Sequence, residues 1–100
     1  MTNTEPGRLA AHVLLDGVSV WPDDDEAVIV NRAVSQLNQT GCCTAQFDDE
    51  TDEAIVDISN LAGGTLVLLN VLVDQLVKTT GRDREVIVAE ARERLDAQLT

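Results

Sequence analysis

The chain is poor in the residues that most enzyme sites and nucleic-acid surfaces use. It has no tyrosine, one histidine (His12), one lysine (Lys78), two prolines, two aromatic residues (Trp21 and Phe47) and two cysteines that are adjacent. So few basic residues exclude binding to nucleic-acid phosphates, which requires clustered Lys and Arg. They disfavour an anionic membrane surface for the same reason. With so few aromatics the core is expected to be aliphatic. The adjacent cysteines lack the C-x-x-C spacing of a metal site, and only His12 is available as a further nitrogen ligand. Residues 1–7 are polar, so no secretory signal is expected.

What the chain has in quantity is negative charge and aliphatic residues. The formal charge is −11, and it is uneven. Residues 1–60 hold 12 acids against Arg8 and Arg32, whereas residues 61–100 hold six acids and five bases. An acidic body is thus followed by a nearly neutral segment. Acidic surfaces keep proteins soluble and also suit a basic partner. One hundred residues are expected to form one domain over residues 8–100, preceded by a flexible tail at 1–7 that ends in the breaker Pro6-Gly7.

The segment 61–80, LAGGTLVLLNVLVDQLVKTT, holds ten of the 32 large apolar residues. At 100° per residue, Leu61, Leu68, Leu69, Leu72, Val73 and Leu76 form one stripe, with Asn70, Asp74 and Lys78 opposite. Gly81 stands where a C-terminal cap belongs. The reading is a nearly buried central helix, capped by Ser59 or Asn60. Asn70, Asp74 and Gln75 interrupt the ~20 uninterrupted apolar residues that a bilayer span needs, so no membrane is expected. Gly63 and Gly64 cost helix propensity there, about 1 kcal/mol each, unless another backbone comes close.

Elsewhere the signals are local. Residues 8–15 read as a short helix stopped by Asp16-Gly17, with a hairpin across that dipeptide as the competing reading, and 18–21 as extended. Asp23 with Glu26 reads as the capped start of a second helix. Its buried stripe is Val30, Ala33, Val34 and Leu37, and it ends at Gly41. Residues 43–47 and 54–58 alternate across the charged loop 48–53, which predicts an antiparallel hairpin. Cys43, Ala45 and Phe47 would face the core from one strand, Val56 and Ile58 from the other. Asp83 caps a last helix whose stripe is Ile87, Val88, Ala91, Leu95 and Leu99. The short link before it makes the last two helices an antiparallel pair. The fold class is α+β, a mainly helical small domain with one antiparallel β-hairpin packed on a long central helix.

Each candidate site has a plainer reading beside it. If Cys43 faces the core, Cys42 faces out as the more reactive thiol; both read as structural. In the loop, Asp48, Glu50 and Asp52 have calcium-loop spacing, yet Glu53 stands where the essential glycine belongs and Ser59 where the twelfth ligand belongs. A solvated turn is the better account. His12 has no nucleophile implied by spacing, and Gly63-Gly64 has no phosphate-loop motif. No catalytic, metal or cofactor residue is therefore expected, and no enzyme. The residues expected to meet a partner are Val67 and Val71 on the central helix, and Asp48, Asp49, Glu50 and Asp52 in the acidic loop.

The runs DISNLAGGTLVLLN and LVKTTGRDREVIVAEARERL, with WPDD upstream, resemble small uncharacterised proteins of high-GC actinobacteria and their phages. The six arginines against one lysine fit such a genome. The resemblance implies a cytoplasmic accessory protein, phage-encoded and acting on a host protein, and carries no catalytic residue. Together these features predict a non-enzymatic protein-binding or regulatory protein that forms a homodimer. The competing expectation is an acidic mimic of DNA that inhibits a nucleic-acid-binding protein.

Overall fold

The order of elements follows from where the chain can and cannot stay helical. The computed structural model describes residues 4–99. It contains α1 (Glu5–Ser19), α2 (Glu26–Thr40), β1 (Thr44–Asp48), β2 (Glu53–Asp57), α3 (Ser59–Thr80) and α4 (Arg84–Leu99). This is the mainly helical α+β class, with β1 and β2 forming one antiparallel two-stranded sheet. The chain divides into two compact units, Met1–Leu66 and Val67–Thr100.

In the first unit α1 starts earlier and runs further than its sequence signals indicate. Pro6 lies in the first turn, where a missing N–H costs nothing, and Gly7 is a buried helical residue rather than a breaker. Residues 1–3 of the expected tail lie outside the described residues. The hairpin alternative for 8–21 is overturned, and so is the stop at Asp16-Gly17. Gly17 sits inside the helix, where a Cβ would lie 3.4 Å from Ile29 Cγ2 of α2, close to ordinary van der Waals contact. Residues 20–23 turn back on Val20, whose carbonyl accepts from the N–H groups of Asp23 and Asp24.

The N-cap of α2 is Asp25 rather than Asp23; its Oδ1 accepts from Ala27 N at 2.8 Å. That choice leaves Ile29 as the buried residue, with Ala33 and Leu37 half-buried one and two turns on. Val30 and Val34, expected inside, are exposed, because they lie 100° around from that line. Gly41 ends the helix at φ 77°, the left-handed conformation that glycine adopts without strain. Ala10, Ile29 and Cys42 are the unit's buried large or small apolar side chains.

The start of α3 is fixed from both sides. Leu61 N donates to Cys42 O at 3.3 Å, and Asp57 Oδ1 accepts from both Ser59 N (2.9 Å) and Ser59 Oγ (2.6 Å). The capping acceptor is thus Asp57, not Ser59 or Asn60. A Cβ on Gly64 would lie 2.8 Å from the carbonyl carbon of Gly7, and one on Gly7 would lie 2.9 Å from Asn60 O. The helix backbones meet at these two glycines, as the cost of Gly64 in a helix required. Gly63 has open space around it.

In the second unit, Gly81 caps α3 at φ 70° and its N–H donates to Val77 O. Val86 N and Ile87 N both donate to Asp83 O at the start of α4. Ile87 is buried and Val88 half-buried, whereas Ala91, Leu95 and Leu99 of the expected stripe are exposed. Arg84 reaches back to hydrogen-bond Asn70 of α3. Glu90 accepts hydrogen bonds from both terminal guanidinium nitrogens of Arg82.

Candidate protein-binding surface

Two apolar surfaces are exposed, one on the hairpin and one along α3. The first is the hairpin. Its register sets Ala45 opposite Val56 and Phe47 opposite Ala54, so these four side chains share one face of the pleat. The other face carries Thr44, Gln46 and Asp48 opposite Asp57, Ile55 and Glu53. Every residue of both strands is exposed, Phe47 at 64% and Val56 at 62%. The expectation that Cys43, Ala45, Phe47, Val56 and Ile58 face the core is therefore corrected: all five are exposed. The alternation of the strands was legible in the sequence; that the apolar side would stay open was not.

The acidic end of this hairpin brings Asp48, Asp49, Glu50 and Asp52 together on one solvent-exposed turn. Asp48 Oδ1 accepts from Glu50 N at 2.9 Å, closing the turn locally, and Asp52 takes φ 59° to reverse the chain. Asp48 and Glu53 stand directly opposite one another across the ladder. Like charges in that position destabilise a hairpin. Strands plus turn, residues 44–57, hold six acids and no base. Asp57, at the other end, is held below the usual aspartate range by the hydrogen bonds from the Ser59 hydroxyl and backbone N–H.

The second surface is α3 with α4. Sequence periodicity predicts a nearly buried α3, and this is overturned: none of its 22 residues is buried. Val67 (64% exposed) and Val71 (46%) are open, as expected, but so are Leu69, Leu72 and Leu76 from the stripe assigned to the core, and Leu66 beside it. The physical reason is that apolar residues occupy most of the helix circumference, and one chain of this length does not supply neighbours for all of it. The polar residues do line up as expected. Lys78 Nζ lies 3.2 Å from Asp74 Oδ2, and Asn70 is engaged by Arg84.

The cysteine pair is oriented opposite to expectation. The ladder begins at Thr44, so Cys43 precedes it and is exposed, while Cys42 folds under the Gly41 cap and is 1% exposed. Cys42 N donates to Thr40 Oγ1 at 3.2 Å and its thiol donates to Leu37 O at 3.5 Å. The two sulfurs are 3.8 Å apart as free thiols. Desolvation raises the Cys43 thiol above its ordinary value, with further contributions from the Cys42 thiol and from Asp57. A nucleophile needs the opposite shift.

His12 is exposed on α1. Between α1 and α2 lies a depression of about 240 Å³ whose lining includes Val13, Asp16, Gly17, Ile29 and Arg32. Arg32 there faces Asp24 at 3.8 Å. Among the described residues no three His, Cys, Asp or Glu side chains are grouped as metal ligands. Comparison with protein-family models, with curated proteins and with solved structures yields no match to this chain.

Proposed function

We propose that this protein is a non-enzymatic binding or regulatory accessory protein, a homodimer through α3 and α4 that engages a second protein. The observation that carries the reading is the apolar exposure of α3, which has no buried residue along its whole length. Monomeric soluble proteins rarely leave contiguous apolar patches larger than a few hundred Å² open to water. A specific dimer buries about 800 Å² on each partner, and covering aliphatic side chains contributes ~25 cal/mol per Å². Residues 61–100 are close to neutral, so a contact through these helices avoids the repulsion that the acidic residues 1–60 would cause.

By length and composition α3 also reaches what a membrane crossing requires. Asp74 and Lys78, with Asn70 and Gln75, argue for a protein partner instead, because charged groups in hydrocarbon are costly. The exposed apolar surfaces likewise favour the binding-module reading over the acidic DNA mimic, which needs regularly spaced carboxylates and no apolar contact. The resemblance to actinobacterial and phage proteins adds a cytoplasmic setting and a host target to the proposal.

Recovery of the tagged chain from the cells that make it tests the reading. A defined protein partner supports a binding module. A nucleic-acid-binding partner displaced by DNA supports the mimic, and turnover of a small molecule by the purified chain refutes both.

A further inference from the structure

We infer that the apolar face of the β1–β2 hairpin is the docking site for a cationic amphipathic segment of the partner protein, its apolar side on Phe47 and Val56 and its Lys or Arg residues at the acidic turn. This rests on the binding-module reading and names the surface and the chemistry of the partner. Three observations carry it. The hairpin has two unlike faces: Ala45, Phe47, Ala54 and Val56 make one side, while Asp48, Glu53 and Asp57 stand on the other with Thr44, Gln46 and Ile55, and the remaining acids gather at the turn. The apolar side is open to solvent along its whole length. An isolated two-stranded ribbon is marginal in water and gains most from a covering layer.

Charge selects the occupant. Residues 44–57 carry six acids and no base, so a second copy would bring twelve carboxylates together across one contact. Asp48 and Glu53 already oppose each other within one copy. A segment bearing Lys or Arg meets the turn acids Asp49, Glu50 and Asp52 at the end of the ribbon, while its apolar side covers Phe47 and Val56. An amphipathic helix lays its apolar face on such a surface through anchors at i, i+3, i+4 and i+7.

The probe is a synthetic amphipathic peptide of leucine and lysine, compared with its leucine–glutamate counterpart, titrated into the full chain and followed by fluorescence anisotropy. The Leu/Lys peptide is expected to saturate at one per chain, with affinity falling as salt rises, and the Leu/Glu peptide to stay unbound. Phe47→Thr and Val56→Thr, which keep strand preference, are expected to weaken binding about tenfold or more, and Asp49→Asn with Glu50→Gln at the turn to weaken it similarly. Ile55→Thr, on the opposite face, is expected to leave it unchanged within about twofold, and circular dichroism checks that the helices persist in each variant. Loss of binding in Ile55→Thr equal to that in Phe47→Thr overturns the inference, as does equal binding by Phe47→Thr and the parent chain, which would mean attraction by charge alone. No binding of the Leu/Lys peptide overturns it too, including the case where Phe47→Thr instead lowers the self-associated mass. If the peptide is ignored while Val71→Glu still dissociates a dimer, only the hairpin assignment falls and the binding-module reading stands.

Discussion

Gly7 of α1 and Gly64 of α3 meet backbone to backbone: a Cβ on Gly64 would run into the Gly7 carbonyl group, 2.8 Å from its carbon and 3.0 Å from Gly7 Cα. Gly63, one residue earlier, has nothing near it. The two glycines therefore behave oppositely. Gly64→Ala is expected to destabilise the fold by about 1–3 kcal/mol, because the obstruction is backbone and the helices must separate. Gly63→Ala is expected to stabilise it by up to ~1 kcal/mol through helix propensity. Urea midpoints at equal m-values measure both; a stabilising Gly64→Ala would mean the crossing is not as close as described.

The thiols should differ sharply. Cys43, exposed but with its pKa raised, is expected to react slowly with maleimide at neutral pH and faster as pH rises, while Cys42 stays protected until the chain unfolds. Cys42→Ser is expected to cost about 1 kcal/mol by placing a hydroxyl at a 1% exposed site, and Cys43→Ser close to nothing. Mass spectrometry of labelled peptides separates the two sites. Faster labelling of Cys42 would reverse the assignment.

Asp57 links the hairpin to the start of α3 and makes that junction sensitive to acid. The Ser59 hydroxyl and N–H favour its charged form, so its pKa is lower folded than unfolded. The stabilisation is complete above the unfolded value and is lost as pH falls through the folded one. Carboxyl NMR titration should place the Asp57 midpoint below that of an ordinary aspartate. Asp57→Asn, which keeps an acceptor but cannot titrate, is expected to remove that part of the acid dependence. A normal midpoint for Asp57 would show that the Ser59 hydrogen bonds do not persist in solution.

Local punctuation was readable from the chain. Gly41 and Gly81 sit at the helix ends that their lack of a side chain permits, and the alternation on either side of residues 48–53 does form a hairpin. The Gly63-Gly64 pair was readable as a close approach because glycine inside a long helix needs a reason; Gly64 meets Gly7, but Gly63 has open space around it. Burial was not readable. Periodicity shows which side of α3 is apolar, but not whether the cover comes from the same chain, and Leu69, Leu72 and Leu76 are open. The cysteines were misplaced because the ladder begins only at Thr44, so strand alternation does not reach Cys43, and Cys42 is buried beside the end of α2 instead. In α2, Ala33 and Leu37 of the expected stripe are half-buried, but Ile29 is inside where Val30 and Val34 were expected.

Sedimentation velocity of the intact chain tests the central claim, that the exposed face of α3 is covered by a second copy. A dimer is expected at micromolar concentration. It should tighten as salt screens the acidic residues 1–60, since the Debye length falls to ~8 Å at physiological ionic strength. Val71→Glu, which would place a carboxylate in the contact, is expected to weaken it by about 100-fold or more, roughly 3 kcal/mol. A chain that sediments as a monomer at high concentration and high salt would contradict the account.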